Sequence, residues 1–219
     1  GAMGNALIEV LERALAARRE AGLYRTRRTI DTAPGPRLVV DRRDVLAFAS
    51  NDYLGLANDP AIVAAARAGA LRWGAGAGAS HLVCGHLTPH AQAEAALADF
   101  VRPCAGAQGL LFSTGYHANL AIVTALAGRG DAVFLDRLDH ACLYDGAFLS
   151  RAEVIRYPHG DVAALAARLA ASTAPRKLIA TDAVFSMDGD LAPLPALLEL
   201  ARAHGAWLVV DDAHGFGVL

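Results

Sequence analysis

From residue 109 onward the chain repeats one pattern: a short, continuously apolar run, a polar cluster, then a segment with helical spacing. The runs fall at 109–112, 132–135, 154–157, 178–181 and 208–210, with helical segments at about 116–127, 141–149, 161–171 and 195–204. A strand that is apolar at every position must be covered on both faces, and helices between such strands supply the cover. The pattern therefore predicts an α/β fold, a mainly parallel sheet flanked by helices. In such sheets ligands bind beyond the carboxyl ends of the strands. The residues there are polar: Ser113-Thr114-Gly115-Tyr116, 136–140 with His140, 182–190 with Ser186, and Asp211-Asp212-Ala213-His214.

Ahead of this block, Leu7, Val10, Leu11, Ala14 and Leu15 follow the i, i+3, i+4 rule of an amphipathic helix capped by Asn5 and ended by Gly22. The segments 37–40 and 45–49, joined by Asp41-Arg42-Arg43-Asp44, predict a hairpin. Asp59-Pro60 and Thr88-Pro89 each predict a helix start, the helices running to Trp73 and about Val101. Between them the glycine-rich stretch 74–80 follows a helix rather than a strand, so it is not a dinucleotide loop. Gly1-Ala2-Met3 is expected to be a cloning scar, 4–50 an arm and hairpin, and 51–219 part of a larger sheet domain.

A net charge of −2 gives no electrostatic reason to expect nucleic acid or an acidic membrane as partner. No apolar run reaches the roughly 20 residues of a membrane span. Cys84, Cys104 and Cys142 are odd in number and lack CxxC spacing, which fits reduced thiols of a cytoplasmic protein, and no metal is expected.

What chemistry needs these strand ends? Backbone N–H groups where 113–119 turns into a helix suit a phosphate. Together with an imidazole at His140 and a carboxylate at Asp211 they suit a planar, phosphorylated, nitrogenous ring such as pyridoxal phosphate. Its use as an electron sink requires a protonated ring nitrogen, which a carboxylate can hold by a charge-assisted hydrogen bond worth about 1.5–3 kcal/mol. Asp211 is the candidate, His140 could stack on the ring, and Ser186 and His214 could reach its phenolic oxygen. Taken singly, each residue also fits a bland role: His140 a helix cap, His214 a turn, Ser186 its own loop.

The segments 51–56 (NDYLGL), 80–86 (SHLVCGH), 112–119 (FSTGYHAN), 136–143 (DRLDHACL), 184–190 (VFSMDGD) and 209–219 (VVDDAHGFGVL) resemble, in one order, the α-oxoamine synthases, which are fold-type I pyridoxal phosphate enzymes. The wording, with the arm around Arg25, is most similar to the biotin-pathway branch. The resemblance implies that Gly115 and Tyr116 meet the cofactor phosphate, His140 stacks, Ser186 and His214 lie near the ring oxygen, and Asp211 pairs with the ring nitrogen. It implies that Arg25 meets the substrate, with His140 also on the substrate side. The implied reaction, in a cytoplasmic homodimer, joins L-alanine to a pimeloyl thioester, on acyl carrier protein or coenzyme A, with loss of carbon dioxide.

That chemistry also needs a lysine for the Schiff base. The one lysine, Lys177, precedes a predicted strand, matches no family lysine, and is expected to be a solvated surface charge. The family's lysine and small C-terminal domain are expected beyond Leu219, so these 219 residues alone are expected to be inactive. Three rivals remain at this level: a sister synthase joining glycine to acetyl coenzyme A, a lysine-less non-catalytic partner subunit, and a metal hydrolase using Asp139, Asp211, Asp212 and His214.

Overall fold

The computed structural model describes residues 2–101 and 104–219 and divides at Gly69/Ala70 into two units. In the first, helix α1 spans Ala2–Glu20 and starts before Asn5, so Asn5 lies within it rather than at its cap. Gly22, with φ of 67°, ends it: Leu23 N–H donates to the Arg18 carbonyl at 2.8 Å and Gly22 N–H to that of Arg19 at 3.0 Å. This is a Schellman cap, which needs a left-handed residue at that position. Strands β1 (Arg37–Val40) and β2 (Arg43–Leu46) form the hairpin, two residues earlier than the predicted 45–49. The cause is the loop: Asp41 and Arg42 both take positive φ, 50° and 63°, so Val40 faces Arg43 directly. Two successive left-handed residues make the tight turn whose twist matches a hairpin. Helix α2 (Pro60–Trp73) begins at its expected proline.

The second unit contains α3 (Thr88–Val101), α4 (Gly115–Leu126), β3 (Ala132–Asp136), α5 (Ala141–Ser150), β4 (Glu153–Tyr157), α6 (Val162–Ala171), β5 (Lys177–Asp182), α7 (Leu194–Ala203) and β6 (Trp207–Asp211). The sheet order is β4-β3-β5-β6, all parallel. After β4 the chain returns past β3 to place β5 on its other side, which makes the β3/β5 boundary the topological switch point where such folds bind ligands. Residues 109–112 are not a strand. Leu110 is 76% exposed, and Leu111 N–H donates to the Glu94 side chain at 2.9 Å instead of joining a ladder.

Period-two alternation splits the core between two faces. Val133 and Leu135 of β3, with Leu178 and Ala180 of β5, pack against Val123, Leu143 and Ala147 of α4 and α5. Ala132, Phe134 and Ile179 face Leu165, Leu169, Leu197 and Ala201 of α6 and α7. Each such fully buried leucine contributes roughly 1.5–3 kcal/mol relative to exposure. Helices α4 and α5 approach closely because Gly146 has no side chain: a Cβ there would lie 3.1 Å from both the Asn119 carbonyl oxygen and Val123 Cβ. Among the described residues no helix is long and apolar enough to cross a membrane.

Candidate active site

Beyond the carboxyl ends of β3, β5 and β6 lies a cavity of about 160 Å³ lined by Gly115, Tyr116, His140, Cys142, Asp182, Ser186, Asp211, Ala213 and His214. Six sequence-selected residues are therefore brought to one place. Gly115 and Tyr116 open α4, whose cap is the Thr114 hydroxyl accepting from His117 N–H at 3.1 Å. First-turn N–H groups have no partner inside a helix and point outward, toward the side on which an anion would sit. The Tyr116 hydroxyl donates to Asp145 of α5, and that bond raises its pKa.

His140 caps α5 and lines the cavity at the same time. Its Nδ1 accepts from Cys142 N–H at 3.2 Å, so the neutral ring carries its proton on Nε2. The Cys142 thiol donates to the same nitrogen at 2.8 Å, and burial pushes that thiol up from its ordinary pKa, keeping the proton on sulfur. Asn119, buried on α4, joins this pair to the carboxylate. One amide hydrogen goes to Asp211 Oδ2 at 2.6 Å and the other to Cys142 Sγ at 3.1 Å. The second Asp211 oxygen, Oδ1, accepts from Ala213 N–H at 3.0 Å. The candidate ring partner is thus held on both oxygens, with the half-buried carboxylate at the rim of the cavity.

Below the cavity lies a layer of buried aspartates. Asp182, paired in register with Asp211, accepts His140 N–H at 2.9 Å and so fixes the backbone that carries the imidazole. Burial raises its pKa, and the Asp211 charge adds to the effect. Asp139 accepts from the N–H groups of Asp136 and Asp182 at 2.7 and 3.0 Å. Burial nevertheless pushes it up to about 8, helped by the Asp182 and Asp136 charges. His159 bridges Asp136 at 3.0 Å and Asp190 at 2.6 Å, tying the loop that carries Ser186 to the end of β4. Burial opposes its charged form, but the two hydrogen bonds outweigh that and raise its pKa.

Arg25 stands on the exposed segment after α1, in the first unit. Lys177 is the first residue of β5, the opposite end of the strand from Asp182, and its Nζ donates to the Leu169 carbonyl at 3.2 Å. It is half-buried and anchored rather than freely solvated, and it cannot serve the cavity. Each oxygen of Asp139 accepts a backbone N–H, which gives this carboxylate a structural task at the ends of β3 and β5. Sequence reasoning missed Asn119, Cys142, Asp182 and His159. Asp182 had a usable signal, a carboxylate at the end of an apolar run, whereas Asn119 had none because its partners Cys142 and Asp211 are distant in the chain.

A family profile described as aminotransferase class I and II matches residues 43–219. The chain belongs to that family. A curated relative from Herminiimonas arsenicoxydans, an 8-amino-7-oxononanoate synthase, is 61% identical over 96% of this chain and 54% of its own length. The chain thus spans about half the length of the curated relatives it matches. Among solved structures, a serine palmitoyltransferase from S. paucimobilis with bound PLP and myriocin matches with TM-score 0.83 and 33% identity, over 94% of this chain and 54% of that one. The 8-amino-7-oxononanoate synthase of Francisella tularensis matches with TM-score 0.61 and 31% identity, over 78% and 46%. The fold is accordingly the large domain of the fold-type I pyridoxal phosphate enzymes, a parallel sheet flanked by helices.

Proposed function

We propose that this chain supplies the cofactor-binding face of an 8-amino-7-oxononanoate synthase, which joins L-alanine to a pimeloyl thioester with loss of carbon dioxide in biotin synthesis. The observation that carries the proposal is the single cavity at the strand ends, where a helix N-terminus, an imidazole, a hydroxyl and a doubly anchored carboxylate converge. That donor set fits pyridoxal phosphate. When bound, this group supplies an electron sink for charge developing at the amino acid's α-carbon.

The chain's own residues prepare the site. The start of α4, with Gly115 and Tyr116, binds the phosphate, and Asp211 keeps a proton on the ring nitrogen. His140 covers the ring face and presents Nε2–H to the substrate side, while Ser186 and His214 orient the ring oxygen. Arg25 serves the acyl substrate. A cytoplasmic homodimer is the expected form. The lysine that the chemistry needs is not Lys177.

One observation favours a sister condensation: the serine palmitoyltransferase match has the higher TM-score. The identity of 61% to the Herminiimonas relative, against 33%, weighs more. The test is a side-by-side assay of the full protein with alanine plus pimeloyl thioester, glycine plus acetyl coenzyme A, and serine plus palmitoyl coenzyme A. Product only in the first supports the proposal, and product only in another replaces it. A near-violet absorbance band abolished by borohydride reports cofactor attachment independently of turnover.

A further inference from the structure

We propose that His81, His86 and His90 form a binding site for a divalent transition-metal ion of the zinc class, built from residues that do not line the strand-end cavity. Among the described residues, these three side chains bring their donor atoms within 4.8 Å of one another. The segment His81–Gly85 is a single π-helical turn with Cys84 off helical geometry, and it folds His81 back onto His86. The ring centroids are 5.0, 4.9 and 5.8 Å apart, so three imidazoles share one small volume.

His81 Nδ1 and His86 Nδ1 lie 2.7 Å apart, sharing one proton in a hydrogen bond, so both nitrogens already point at the position an ion would take. His86 Nε2 lies 3.7 Å from the Glu94 carboxylate, whose negative charge favours a proton on that nitrogen and so leaves Nδ1 as the lone-pair donor of the proposed site. Glu94 is held from behind by Leu111 N–H at 2.9 Å. A carboxylate behind one histidine nitrogen while the other faces inward is the arrangement that orients imidazoles on zinc. An ion between His81 and His86 moves the shared proton to His81 Nε2, so no proton is lost from the pair. At Zn–N distances near 2.0–2.1 Å the two nitrogens open to about 3.3 Å. In the proposed site His90 completes the set through Nε2: its proton moves from Nε2 to Nδ1, which gives up the bond it now accepts from Leu87 N–H at 3.0 Å. In the sequence His-Leu-Thr-Pro-His, His86 stands just ahead of α3 and His90 in its first turn.

The test uses the full protein, stripped with chelator, and titrates it with Zn²⁺ by calorimetry and with Co²⁺ by visible absorbance. One equivalent is expected, with affinity falling about tenfold or more in His86→Asn and in the double variant His81→Asn/His86→Asn. In His90→Asn the loss is expected to be smaller, because the Leu87 contact no longer has to be broken. Thermal melts without metal confirm that the variants fold, and a cofactor-binding titration confirms that the strand-end cavity is intact. Absence of stoichiometric binding in the parent, or binding unchanged in a folded double variant, overturns the proposal.

Discussion

Helix α1 and strand β3 draw on similarly apolar residues and meet opposite fates. In α1, Leu7 and Leu11 are 63% and 55% exposed, and among the described residues of 6–69 none is buried. In β3, Val133, Phe134 and Leu135 are wholly buried. Periodicity suffices to make an element, since α1 closes its own hydrogen bonds and cap. Burial takes a second layer, and within these two units only the sheet has helices on both faces.

The sharpest way to break this comparison is truncation on each side of it. Leu135→Ala or Leu165→Ala should lower unfolding free energy by about 3 kcal/mol, whereas Leu11→Ala should stay within about 0.5 kcal/mol, both read by denaturant titration. Equal losses would mean that α1 is as deeply engaged as the sheet. Next in size is Asn119→Ala. It should cost about 2 kcal/mol through the unpaired Asp211 and Cys142 groups, and it should weaken pyridoxal phosphate binding in an absorbance titration. Arg25→Ala should leave that affinity unchanged and raise KM for the acyl substrate.

The aspartate layer sharpens the contrast through pH. Asp139 is raised by burial to about 8, so its neutral form is favoured in the folded state. Such a group contributes stability that is fully present below the unfolded value and is lost as pH rises to the folded one. His159, also raised, acts in the same direction. Stability should therefore fall by up to about 1.4 kcal/mol per pH unit from this group between roughly pH 4 and 8, and Asp139→Asn should flatten the slope. Denaturant midpoints across that range check it. Smaller than the losses expected in the core and at Asn119 is that of Thr114→Ala, which removes the α4 cap and should cost about 1 kcal/mol.

Most of the sheet was legible because strands buried on both faces are almost continuously apolar, as 132–135 and 178–180 are. The run at 109–112 is similarly apolar but pairs with no strand among the described residues, and a local pattern does not report its partner. The strand-end residues were legible for a related reason: Asp211 closes an apolar run, and His140 lies in the polar cluster that follows one. Asn119 was invisible, since its worth comes from Cys142 and from Asp211, which is 92 positions away. The hairpin register shifted by two because the left-handed pair Asp41-Arg42 is ordinary in composition and unusual only in conformation. The His86-x₃-His90 spacing stands in the sequence, but the turn that delivers His81 to it does not.

Gly146 carries a consequence for anyone altering this protein. It does not line the cavity, yet it sets the gauge between α4 and α5, whose first residues do. Even a methyl group there would press on the peptide of Asn119, whose side chain reaches Cys142 and Asp211. A substitution that looks conservative would thus shift the anchor of two lining residues while touching neither.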